Sequence, residues 1–329
     1  MNLVRAEWSR LFARRVTIAT FVVIVGLLAV IALAFGASSS SPTVEEQERA
    51  NQLAAEAGAV WVANRQECLD VERGAIAPRA GRTYPEDCDY GHQPQADDFL
   101  DYGFSFKRQW PEIYYTAAII LGLFGFIVGA SFVGAEWTSG GMTNLLLWRP
   151  QRAHVLGAKL GVALTGVLGM AVAYLVVWTG AFLGIASVAG SIGHFSAGEI
   201  GSFLLACVRV ALLGVFGAAV GFALASIGRH TAMALGAGIA YLLVYELGTL
   251  LAFSLMDVDY PERFRLSSYV IGWLTKRYDI GGSYTCNELD CFSTGGYSIA
   301  WGESGLVLGL VAAVLLGGAF LAMRRRDLT

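Results

Sequence analysis

The chain has 329 residues, of which 55% are hydrophobic and only 15% charged, with 40 glycines. A soluble domain carries about 25% charged residues and no apolar runs of span length, so a soluble globular fold is excluded. A net charge of −3 leaves no basic face for nucleic acid, and three lysines against twenty arginines mark a GC-rich genome.

In chain order, residues 2–15 predict a helix lying on the membrane face. Val4, Trp8, Leu11 and Phe12 share one side, and Arg5, Arg10 and Arg14 lie elsewhere. The apolar run at 16–36 follows Arg14 and Arg15. It exceeds the usual core of about 7–15 residues in a signal peptide, so it reads as a retained anchor. Further runs at 113–133, 155–186, 200–226, 231–255 and 304–323 are each long enough to cross about 30 Å of hydrocarbon. Backbone polar groups in lipid must be satisfied within the segment, and no ten-residue alternating strands occur, so the expected fold class is all-α with six transmembrane helices. The divisions that follow are 1–36 (interfacial helix and first span), 37–112 (an outer helical insertion), 113–255 (spans two to five), 256–303 (a second outer segment) and 304–329 (sixth span and basic tail).

Charge sets the orientation. The leader, the 134–154 loop, the turn at Arg229, Lys159 and the tail together hold eleven Lys/Arg against three acids, whereas the two outer segments hold eleven against twenty-one. The positive-inside rule makes the first set, and with it both termini, cytoplasmic. Cys68, Cys88, Cys286 and Cys291 all fall on the opposite side, as expected of disulfides in an oxidising compartment. Of the three possible connectivities, the within-loop pairs Cys68–Cys88 and Cys286–Cys291 close the shortest loops.

The outer insertion carries a capping box at Thr43–Glu46. A helical stripe of Ala50, Leu53, Ala54, Ala57, Val60 and Trp61 follows, which predicts one long helix and then a pinned loop. The insertion reads equally as a lid or as a stabilising addition. In the second outer segment, Leu266, Tyr269, Val270, Trp273 and Leu274 at helical spacing predict a short interfacial or re-entrant helix before a disulfide loop at 283–296.

Two ionisable residues interrupt apolar runs. Arg209 and Glu246 each lie nine residues from the outer end of consecutive antiparallel helices, about 13 Å deep, which predicts an intramembrane ion pair. That pair would either orient two helices or mark a substrate or ion path. Small-xxx-small spacings at Gly125–Gly129, Ala130–Gly134 and Gly217–Gly221–Ala225 predict close helix approach. Catalytic constellations do not emerge. No Gly-x₄-Gly-Lys-Ser/Thr occurs, and Gly302-Glu303-Ser304-Gly305 resembles the serine motif of rhomboid proteases but has no histidine after His230 to act as base.

The most informative stretch is cytoplasmic, Glu136-Trp137-Thr138-Ser139-Gly140-Gly141-Met142-Thr143-Asn144-Leu145-Leu146-Leu147-Trp148-Arg149-Pro150-Gln151-Arg152, with Lys159 beyond it. It reads as a short amphipathic helix within 138–149, with Met142, Leu145 and Leu146 as an apolar face offered to a partner. Glu136, Gly140 or Gly141, Leu145-Leu146, Pro150, Arg152 and Lys159 resemble the corresponding motif in permease subunits of ABC type-2 transporters. The six-helix layout, the interfacial N-terminal helix and the re-entrant segment match that family too. Gly-Met-Thr-Asn replaces the commoner Gly-Thr-Leu-Glu, and the outer insertion is larger than in many members.

The resemblance implies a permease of an ATP-driven exporter in a bacterial plasma membrane. It would work with a second permease, identical or related, and two copies of a separate ABC ATPase that binds the ATP and Mg; this chain would hold no cofactor and would not itself be an enzyme. The 138–149 element would be the coupling helix, so that Leu145→Asp or Leu146→Asp would uncouple hydrolysis from transport in a folded protein. The alternative reading is a non-transporting membrane sensor or scaffold whose outer segment binds a ligand. A neighbouring ATPase gene favours transport, and a neighbouring kinase gene favours sensing.

Overall fold

The computed structural model describes residues 3–39, 43–79, 84–85, 88–100, 104–148, 151–256, 260–281, 283–286, 291–294 and 296–325. Eleven α-helices are present among the described residues: α1 Leu3–Ala13, α2 Arg15–Ser38, α3 Val44–Glu72, α4 Phe106–Thr138, α5 Gly141–Trp148, α6 Arg152–Ala189, α7 Ala197–Gly228, α8 Thr231–Ala240, α9 Leu247–Met256, α10 Leu266–Thr275 and α11 Trp301–Arg325. Six apolar stretches among the described residues are long enough to cross a membrane: Arg15–Ala37, Phe106–Thr138, Arg152–Ala189, Ala197–Gly228, Thr231–Phe253 and Trp301–Arg325. Each contains one of the expected runs or nearly all of it. In the fifth, a π-helical segment, Tyr241–Glu246, joins α8 to α9.

The chain divides into two compact units. One comprises residues 1–29, 111–179 and 196–329. Helices α4 and α7 approach closely in it, where small residues let backbones touch. A Cβ added at Gly125 would overlap the Gly214 carbonyl, and one at Gly129 the Ala218 carbonyl; Gly217 and Gly221 meet Gly122 and Phe126 in the same way. The small-xxx-small spacing therefore serves packing within one chain. Phe124, Val128 and Phe132 of α4 and Val210 and Phe222 of α7 are buried as well.

The other unit comprises residues 30–110 and 180–195. The rings of Phe35, Phe104 and Phe182 cluster with centroids 5.5–5.9 Å apart. Ser191 N–H donates to the Phe104 carbonyl at 3.0 Å, and Phe106 N–H to the Ser191 carbonyl at 2.8 Å. Helix α3 starts as expected: Thr43 caps it, and Glu46 accepts hydrogen bonds from the Thr43 N–H and hydroxyl, which hold its carboxyl below the usual carboxylate range. Its packed side overlaps the expected stripe in part. Ala50 is buried and Ala54, Ala57 and Trp61 are half-buried, whereas Leu53 and Val60 are exposed and the small residues Gly58 and Cys68 are buried instead. Cys68 and Cys88 form the disulfide, and Trp61 Nε1 donates to the Tyr90 carbonyl at 3.2 Å.

The second outer segment departs further from the expected layout. After α10, two antiparallel strand pairs form, β1 (Arg277–Ile280) with β4 (Tyr297–Ala300) on either side of the expected disulfide loop, and β2 (Ser283–Cys286) with β3 (Cys291–Thr294) within it. Cys286 and Cys291 are register partners in the second pair. Their side chains, and so the expected bridge, lie outside the described residues.

Candidate functional site

The end of the first unit that carries α1 and the α4–α5 turn is organised around buried charge. Glu7, in the middle of α1, is fully buried although its helix is otherwise basic. Lys159 of α6, also fully buried, donates from Nζ to Glu7 Oε2 at 2.6 Å and lies 2.6 Å from Glu136 Oε2 near the end of α4. Arg14, at the bend between α1 and α2, reaches the other Glu136 oxygen at 3.3 Å and donates to the Ser131 carbonyl at 2.5 Å. Burial lowers the Arg14 guanidinium from its ordinary value, and Glu136 and Glu7 push it back up. Both cations lie over the Phe132 ring, at 5.3 and 5.4 Å from its centroid. Arg10, half exposed, pairs with Glu7 at 3.1 Å.

The arithmetic of this cluster explains why lipid-side burial is tolerated. Two carboxylates face two fully engaged cations, so the occluded core is neutral and each charge has a partner at contact distance. Mechanically it ties three elements, α1, α4 and α6, at one level. Each of its carboxylates is paired with a cation.

Helix α5 hangs from the end of α4 that this cluster fixes. Gly140 makes the turn with φ +72°, a left-handed backbone that glycine adopts without strain, and its carbonyl accepts from Asn144 N–H at 3.0 Å. The face that α5 presents differs from the expected one. Met142 (0% exposed) and Leu146 (3%) point into the protein and Leu145 is half-buried, whereas Leu147 (75%) and Trp148 (81%) stand out. In an eight-residue helix the two residues of Met142's row are consumed by packing beneath it, and the outward row falls one position later. Pro150 lies outside the described residues. Arg152, at the start of α6, donates to the Met323 carbonyl near the end of α11 at 3.5 Å.

The expected pair of Arg209 with Glu246 is not formed. Glu246, ending the π-helical segment, accepts from Arg265 Nε at 2.9 Å, Ser267 N–H at 3.1 Å, Ser267 Oγ at 2.7 Å and the Tyr241 hydroxyl at 2.6 Å. Equal depth along two helices does not set rotation about them. The first turn of α10 brings an arginine and a free N–H to Glu246 that counting along spans could not place. Arg209 lies instead with its guanidinium 5.2 Å from the Trp301 ring, and its carbonyl accepts from Trp273 Nε1 at 3.0 Å.

Sequence reasoning placed Glu136 and Lys159 in a motif and missed Glu7, Arg14 and Arg265 as their and Glu246's partners. One signal for Glu7 was available, since a lone acid within a basic interfacial helix invites a buried cation.

The family model described as ABC-2 family transporter protein matches residues 1–264, a stretch that contains the charge cluster, α5 and five of the six spans. No curated protein matches the chain.

Proposed function

Since the chain belongs to the ABC-2 transporter family, as a transmembrane transport permease rather than a catalyst, we propose that it is one of two permeases, identical or related, that work with two copies of a separate ABC ATPase. In this reading ATP and Mg are held by the ATPase, and the permease moves its cargo outward across a bacterial plasma membrane with both termini in the cytoplasm. The asymmetry of charge between the two sides supports that orientation.

The observation that carries the proposal is the outward pair Leu147 and Trp148 on a short helix whose stem is fixed by Glu136. An exposed leucine and tryptophan, 75% and 81% accessible, on a cytoplasmic connection suit insertion into a groove of a partner. Motion of that groove during hydrolysis would pass through α5 to α4, and through the Glu136–Lys159–Glu7 contacts to α6 and α1. A docked helix shifts an equilibrium between two states only if it contacts them differently, and a rigid stem makes such a difference possible.

The test is purification of the tagged chain from its native host in mild detergent, with mass spectrometry and an ATPase assay on the eluate. A P-loop ATPase in stoichiometric amount is expected, lost in Leu147→Asp and Trp148→Asp while the permease keeps its elution profile. Absence of an ATPase from folded protein would overturn the proposal in favour of a sensor or scaffold.

A further inference from the structure

Among the described residues, these networks leave Arg209 without a charged partner. It lies within the fourth span, is 3% exposed, and makes no ion pair and no side-chain hydrogen bond among the described residues; its Nη1 is buried without an acceptor. A buried cation in a membrane segment is costly unless paired, and the Trp301 face at 5.2 Å compensates only part of that cost. Three acids on α7 and the elements beside it are engaged elsewhere among the described residues. Glu199 closes the capping box of α7, Glu303 accepts from the Tyr297 hydroxyl at 2.9 Å, and Glu246 holds Arg265.

A second orphan lies one helical turn beyond Trp301. Ser304 is fully buried and its hydroxyl has no hydrogen-bond partner among the described residues. It faces Gly272 of α10, where a Cβ would come within 2.6 Å of Ser304 Oγ. The Gly302-Glu303-Ser304-Gly305 motif thus holds a hydroxyl against α10 with no base beside it. Trp273 and Trp301, whose rings are 6.4 Å apart, bound the same junction of α7, α10 and α11, and Trp301 is half exposed at the start of its span.

We propose that Arg209, Trp301 and Ser304 form a binding point for the anionic headgroup of an amphiphile, with the oxyanion taking the unpaired guanidinium and hydroxyl donors and the apolar body lying against the indoles. Two sources share this chemistry, a bilayer lipid phosphate and an acidic cargo. Only the second rests on the transport reading.

The experiment is native mass spectrometry of the delipidated full chain with added phosphatidylglycerol or phosphatidylcholine. Retention of phosphatidylglycerol about tenfold above phosphatidylcholine is expected, kept in Arg209→Lys, abolished in Arg209→Gln and reduced several-fold in Ser304→Ala. Equal retention of the two lipids by the unmodified protein, or a preference that survives Arg209→Gln, overturns the proposal. Should Arg209→Gln fail to fold, undiminished retention in Ser304→Ala does so. Adding Mg-ATP to the complex with its ATPase separates the sources, since release of the bound phosphatidylglycerol identifies a cargo position and unchanged retention a lipid position. If no ATPase co-purifies, the transport reading fails while the binding result stands.

Discussion

Replacing Lys159 with methionine isolates the worth of the buried charge cluster. The ammonium lies 2.6 Å from two carboxylates, one belonging to a side chain with no exposure and the other to one 11% exposed. At an effective dielectric of 20, each contact has a gross Coulomb energy of about 6 kcal/mol. The ammonium's own desolvation offsets much of that, and loss of one partner from a buried pair costs about 3–5 kcal/mol. At roughly 2–4 °C per kcal/mol, Lys159→Met is expected to lower the apparent Tm by about 6–20 °C, measured by tryptophan fluorescence at a fixed scan rate in one detergent. The variant leaves Glu7 and Glu136 in excess over Arg14. Adding Glu7→Gln restores neutrality, so the double variant is expected to recover about half of the loss. A Tm unmoved by Lys159→Met, or a double variant worse than the sum of the two single changes, would refute the account of the cluster as a balanced neutral core.

The helix contact and the disulfide yield two further expectations. Gly129→Leu drives a side chain into the Ala218 carbonyl and should cost at least about 1–3 kcal/mol, whereas Gly26→Leu in α2, with nothing within 4 Å of its Cβ, should leave thermal stability unchanged; equal effects would remove the α4–α7 contact as the cause. Cys68→Ser opens a bridge across a 20-residue separation, about 3 kcal/mol of loop entropy. Faster proteolysis between residues 73 and 100 is expected, and protease resistance equal to the parent's would show that the bridge is not what holds that loop.

The spans were legible because lipid allows only one solution for a long apolar run, and the α3 cap because Thr43 and Glu46 at that spacing have one geometric use. The Cys68–Cys88 bridge followed from topology and loop length. What escaped was azimuth and long-range partnership. Apolar residues at 142, 145 and 146 announce an amphipathic α5, but the chain does not say which row faces inward, and Leu147 and Trp148 became the outward pair. Arg209 and Glu246 matched in depth and sign, yet Glu246 found Arg265 through the first turn of α10, whose position depends on tertiary packing. The strand pairs within 277–300 were not expected, although Tyr278, Ile280, Tyr297 and Ile299 alternate as strand residues do.

The glycine contact between α4 and α7 also constrains the order of assembly. Helix α4 is complete at Thr138, but its partner is not finished until Gly228. At 5–20 residues per second, that leaves an interval of about 5–18 s during synthesis. Throughout it, the row of Gly125 and Gly129 lacks the α7 backbone that receives it, while α5 and α6 are synthesised. The register of Gly217 and Gly221 against Gly122 and Phe126 is thus a constraint of shape, not of charge, on how α7 docks once it is made.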